Sequence, residues 1–226
     1  MINEMTNSTP NPTNIPDENP FPDEWREKLP RWLRKFLPAG GGDHHREEDK
    51  TLFGFLSFLI SESFIFLGFI VSYIGLRLTA SPWIPPGVFG PEISTMTIIS
   101  TVVLLGSSIV IYFAERALKR GKIWQFRLLW LLTAAMGAFF LYAEISEWLG
   151  NDFGPATGIM GSVYYLLTGF HGLHVTAGII LLSIMLVRSF IPNIYRDGSY
   201  GVTAISWFWH FVDVLWIFLF SLIYLW

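Results

Sequence analysis

Apolar residues gather in five blocks along the chain, roughly 52–76, 96–114, 128–149, 161–187 and 204–226, parted by short polar stretches. Each block is near the ~20 residues an α-helix needs to cross ~30 Å of hydrocarbon. The pattern therefore predicts an all-α fold: a polytopic bundle of five transmembrane helices over residues 51–226. No long apolar segment precedes residue 52, and no short one is followed by a cleavage site, so the first helix is expected to drive its own insertion.

Composition narrows the class further. With 52% hydrophobic, 17% aromatic and only 15% charged residues, the chain cannot be a water-soluble domain with an ordinary surface. Topology follows from the basic residues. Seven Lys and Arg precede the first block, five (Arg116, Lys119, Arg120, Lys122, Arg127) fall between the second and third, and Arg188 and Arg196 fall between the fourth and fifth; Arg77 alone lies opposite. By the positive-inside rule the N-terminus is cytoplasmic and the C-terminus outside, in the plasma membrane. The absence of cysteine excludes disulfides and thiolate metal sites.

Residues 1–50 read as a separate cytoplasmic tail. Seven of the thirteen prolines lie between Pro10 and Pro38, and Gly40–Gly42 reads as a flexible joint. Within 23–37, Trp25, Leu29, Trp32, Leu33 and Phe36 recur near helical spacing among five basic residues, which predicts a short amphipathic helix on the lipid surface; Pro30 in its middle opposes it. His44 and His45 are read as a solvated turn.

Ionisable side chains inside the apolar blocks are the candidates for function, because a charge at a helix centre costs ~2–3 kcal/mol even on the most lenient insertion scale. The fourth block carries TGFHGLHV (168–175), in which His171 and His174 stand at i and i+3 and Gly169 and Gly172 share the spacing. That face is polar and thin, suited to a close helix contact with an imidazole hydrogen bond across it. The fifth block repeats the theme in WFWHFVDVLW (207–216), where His210 and Asp213 can meet each other or a shared partner. The aromatics at its two ends, Trp207, Phe208 and Trp209 on one side and Tyr224 and Trp226 on the other, read as interfacial belts. Glu144 and Glu147 share a face near the outer end of the third block, and Glu62 lies near the centre of the first.

Counting about 1.5 Å per residue from each helix centre puts Glu62, Asp213, His174 and His171 in one layer. Glu144 and Glu147 then lie about 8 to 13 Å outward and His210 about 7 to 8 Å inward, too spread for one compact site. Two readings follow. In one, the central four bind a metal or conduct protons as a stand-alone site. In the other they form a structural polar network, which the depth spread and the lack of a converging ligand set favour.

Four segments, SESFIF (61–66), GAFFLYAEISEW (137–148), TGFHGLHV (168–175) and WHFVDVLWIFL (209–219), also occur together in order. With them, residues 50–226 resemble subunit III of haem-copper terminal oxidases, in a short five-helix form that lacks the first two helices of the long form. The resemblance implies an accessory chain, non-catalytic in isolation, of a respiratory complex that reduces dioxygen to water and pumps protons. No cofactor or metal is expected on the chain itself: haems and copper would lie on partner subunits I and II. Bound phospholipid is implied, and no nucleic acid. The family's buried carboxylate, tied to proton uptake or a lipid cleft, maps to Glu62. Its polar network maps to Glu147, His171, His174, His210 and Asp213. Glu144 departs from the family, which more often has Gln there. Cytochrome c oxidase is the favoured complex; quinol oxidase and nitric oxide reductase are the alternatives within the family.

Overall fold

The computed structural model describes residues 44–191 and 200–226, with side chains from Leu52 onward. The expected amphipathic helix at 23–37, the glycine joint and the side chains of His44 and His45 lie outside the described residues. The chain divides into two units, Met1–Ser57 and Phe58–Trp226. Of the first, the described part is the start of α1, where the Ser57 hydroxyl donates to the Phe53 carbonyl at 2.9 Å.

Five α-helices make up the described secondary structure: α1 (His44–Thr79), α2 (Thr95–Lys119), α3 (Ile123–Gly150), α4 (Gly158–Arg188) and α5 (Tyr200–Phe220), the last continuing as a π-helical turn over Ser221–Leu225. All five are long and apolar enough to cross a membrane. Helix is the form such segments must take, because hydrocarbon offers backbone N–H and C=O groups no partner outside the segment. The helices overrun the apolar blocks. Arg116 and Lys119 occupy the last turn of α2 and Arg127 lies inside α3, where the blocks alone placed all three in a connection. Long basic side chains permit this, since their stems stay in the apolar zone while the charges reach the interface.

The connections use local chemistry. Ser94 caps α2, its hydroxyl accepting from the Thr97 N–H at 3.0 Å. Between α2 and α3 the chain reverses through Gly121, whose φ of +71° few other residues tolerate. The connection into α4 turns on Gly158, where a Cβ would approach Pro85 to 2.9 Å and push the α1–α2 loop away.

Within the second unit, α2 packs on α3, α3 on α4, α4 on α5, and α5 returns to α2, closing a ring. Trp209 of α5 stands at its centre with no exposed surface. Cβ atoms built at Gly137 of α3 and Gly178 of α4 would fall 2.5 and 2.8 Å from its indole, so two glycines open the slot that holds it. Its Nε1 donates to Ser107 Oγ of α2 at 2.7 Å. One side chain of α5 thus touches the other three ring helices. Its aromatic character and position near a helix end suggested an interfacial belt; its depth in the bundle comes from the two glycines, neither of which the sequence pattern singled out.

From Phe58 onward, α1 meets this ring through side chains spaced three and four apart: Leu59, Glu62, Phe66, Phe69, Tyr73 and Arg77. Leu59, Phe66 and Tyr73 are buried, whereas Phe64, Ile65, Leu67 and Val71 between them are exposed. Phe66 lies 5.0 Å from the Phe170 ring and 6.4 Å from that of Phe211, and the Tyr73 hydroxyl donates to the Leu222 carbonyl at 3.2 Å.

Candidate functional site: three separate polar clusters

Of the seven ionisable candidates inside the apolar blocks, Glu62, Glu147, His174, His210 and Asp213 fall into three separate clusters, and His171 and Glu144 join none of them.

The first links α1 to α4. His174 Nδ1 lies 2.8 Å from the Phe170 carbonyl, which can only accept, so Nδ1 carries a proton. Its Nε2 lies 3.2 Å from Glu62 Oε2. With Nδ1 protonated, that contact holds one proton shared by two groups: a neutral carboxyl donating to the imidazole, or an imidazolium facing a carboxylate. Phe66 and Phe170 wall the pair edge-on, with ring centroids 5.1 and 4.7 Å from the imidazole.

The second joins α2 to α5. Ser108 donates its hydroxyl proton to Asp213 Oδ2, a short bond, and lies 2.9 Å from His210 Nδ1. Because the serine has one proton and gives it to the carboxylate, His210 Nδ1 must donate to the serine oxygen. His210 and Asp213 therefore share a partner, as their spacing allows, and that partner is Ser108. The depth count placed Asp213 with Glu62 and His174; side-chain reach down to Ser108 puts it with His210 instead.

The third cluster gathers four hydroxyls near the end of the ring that carries the α1–α2 and α3–α4 loops. Glu147 Oε2 accepts from Thr97 at 2.7 Å, and Oε1 accepts from Tyr164 at 2.7 Å and, in a short bond, from Tyr224. Thr97 gives its proton to Glu147, so the 2.7 Å contact with Ser94 is a donation from Ser94. Helices α2, α3 and α4 and the π turn thus converge on one carboxylate. Tyr224 is committed to this bond and not only to the membrane boundary, an assignment its position near the chain's last residues did not suggest. Beside Glu147 opens a cavity of about 520 Å³ that Glu92, Ser94, Ser146 and Asp152 also line.

His171 is fully buried. Neither of its nitrogens has a hydrogen-bond partner; it stacks on Trp216 at 4.8 Å and meets the Phe140 ring at 88° and 5.7 Å. Its role in the packing is that of a flat aromatic. The glycines on the thin face of α4 admit close neighbours, but His171 on that face makes no hydrogen bond across the contact: Gly172 admits the Glu144 carboxyl, 3.0 Å from where a Cβ would stand, and Gly169 admits Trp148 at 3.4 Å. Glu144 is buried with Oε1 unpartnered.

These contacts direct the polar atoms at other residues of the same chain. Among the described residues, no group of three or more His, Cys, Asp or Glu is placed to hold a metal ion. What the fold and clusters define is a multi-pass helical membrane protein in which Glu62, Glu147, His174, His210 and Asp213 make side-chain contacts between helices.

The family model for cytochrome c oxidase subunit III matches residues 29–226, and the chain belongs to that family. The match begins about twenty residues before the segment in which the motifs were legible, so the latter part of the tail lies inside it. Similar chains include cytochrome c oxidase subunit 3 of Thermostichus vulcanus, 40% identical over 189 residues (81% of this chain, 91% of that one). That of Synechocystis sp. is 38% identical over 192 residues (84% and 82%). That of Papio hamadryas is 36% identical over 204 residues (87% and 78%).

Proposed function

We propose that the chain is the non-redox subunit III of a cytochrome c oxidase, an accessory component of the complex that reduces dioxygen to water and pumps protons. The observation that carries this reading is the family match across residues 29–226, which takes in all three polar clusters. The internal direction of those clusters supports it: Glu147 receives three hydroxyls, Asp213 receives one, and Glu62 pairs with an imidazole, an arrangement that suits a scaffold better than a reaction centre. Haems and copper then belong to subunits I and II. The named relatives favour the cytochrome c branch over quinol oxidases and nitric oxide reductases.

In this reading the chain lies in the plasma membrane with its N-terminus cytoplasmic, an orientation that the distribution of basic residues supports. The ring of α2–α5 is the rigid part. The edge formed by α1 is where phospholipid and the Glu62–His174 pair act together, with Glu62 supporting proton uptake by the complex; Glu147, His171, His174, His210 and Asp213 hold the helices in place.

The test is a mild-detergent pull-down of the tagged chain from native membranes, with a reduced-minus-oxidised visible spectrum and mass spectrometry of the co-purifying proteins. The expected result is a haem signal with a large polytopic partner and a copper-binding subunit. A haem-free eluate overturns the proposal and leaves family membership standing.

A further inference from the structure

The turn between α2 and α3 collects cations, several of which have no ion-pair partner among the described residues. Arg116, Arg120 and Lys122 are exposed, and Arg188 at the end of α4 is exposed as well. Two neighbouring cations are accounted for. Lys119 pairs with Glu115 at 2.7 Å, and Arg127 donates to Ser189 Oγ at 3.1 Å and to its carbonyl at 2.5 Å while lying over the Phe190 ring. That second contact ties α3 to the end of α4 and so brings Arg188 to the same end of the ring. Arg116 gains from the carbonyl end of α2, as a cation in a last turn does. Lys122 gains nothing comparable: it stands at the start of α3, where the helix dipole repels a cation, and the first turn of α3 has no acid to offset it.

Apolar surface is exposed beside these charges. The Trp124 side chain, two residues past Lys122, is 71% exposed, and Phe113 is 52% exposed one turn before Arg116. Exposed aromatics flanking cations at the end of a membrane helix mark the headgroup level, where the ring sits among acyl chains and the charges meet phosphate.

We propose that the α2–α3 turn is a binding surface for anionic phospholipid headgroups, contacted by Arg116, Arg120 and Lys122 and anchored by Trp124. The proposal rests on the reading above only in placing this turn at a membrane face. It is tested on the intact complex, exchanged into mixed vesicles of phosphatidylcholine and phosphatidylglycerol, re-extracted in mild detergent, and analysed for retained lipid. Wild type is expected to retain phosphatidylglycerol over phosphatidylcholine. Each of Arg116→Gln, Arg120→Gln and Lys122→Gln lowers that ratio by up to roughly fivefold, and the triple variant by more. Arg77→Gln, at the other end of the helices, leaves it unchanged.

An unaltered ratio in the triple variant overturns the proposal, as does a wild type with no preference. So does a triple variant that loses its partner subunits while lipid selection persists, because the cations then hold an acidic protein surface. If the co-purifying partners are not oxidase subunits but the ratio still falls with each substitution, the oxidase reading fails and the lipid surface stands.

Discussion

The contrast between α1 and the α2–α5 seam shows what organises this chain. Hydrogen bonds tie α2 directly to α5 at successive levels: Thr203 to Glu115 at 3.1 Å, Trp209 to Ser107 at 2.7 Å, Ser108 to Asp213, and Trp216 to Thr101 at 3.1 Å. Eighteen residues of α2 separate Glu115 from Thr97, the Glu147 partner, so the polar contacts run over about 27 Å of helix. From Phe58 onward α1 is equally able to span a membrane, yet it meets the ring through one Glu–His pair, a few aromatic edges and bonds near the chain's last residues. Apolar character fixes that a helix inserts. Small residues, indoles and hydroxyls fix which helices pack, because lipid tails satisfy an apolar side chain as well as another helix does.

The largest test of that contrast is Trp209→Ala. It empties the slot between Gly137 and Gly178 and removes the Ser107 bond, so the ring should lose about 3–5 kcal/mol, on the scale of other buried tryptophan truncations. Unfolding titrated with a denaturing detergent reads this directly, along with a sharp fall in recovered folded chain. A variant that unfolds like wild type would mean that the glycine slot does not organise the ring.

Sequence reading reached the five helices, the thin face of α4 and the pairing capacity of His210 and Asp213, because length, glycine spacing and i, i+3 geometry are local properties. The partners were beyond it. Ser108, Thr97, Ser107 and Thr101 are small hydroxyl residues with no pattern of their own on α2, and they bond across sequence separations of 50 to more than 100 residues. The depth count also treated side chains as points at Cα height, whereas carboxylates and imidazoles reach up or down a turn. That is why Asp213 left the predicted layer and joined His210. The plain apolar tilt of His171 onto Trp216 was hidden for a different reason: a histidine at HxxH spacing invites a polar role, and only the neighbouring rings reveal an aromatic one.

A smaller effect separates the seam's network from its individual bonds. Asp213→Leu takes the acceptor from Ser108, whose hydroxyl also serves His210, and should cost ~1–3 kcal/mol. Asp213→Asn keeps an acceptor oxygen and should cost less. If the three side chains act as a unit, Ser108→Ala combined with Asp213→Leu destabilises by less than the sum of the two single changes. Strict additivity in detergent unfolding would reduce the cluster to independent contacts.

The least effect on folding is expected at Glu62, where the two regions meet. Glu62→Gln places an amide N–H within reach of His174 Nε2, so the imidazole keeps a partner and the bond to α1 survives as a neutral one. What disappears is the shared proton, since an amide does not exchange one as a carboxyl does. Stability should therefore change by less than ~1 kcal/mol, within the range of membrane hydrogen bonds. In the assembled complex, proton uptake or the durability of turnover should change while subunit content does not. Glu62→Leu is the sharper partner experiment, because it leaves His174 Nε2 without a hydrogen bond and should loosen α1 as well. If Glu62→Gln alone dissociated the complex, the pair would be structural, and α1 would be held as firmly as the ring it borders.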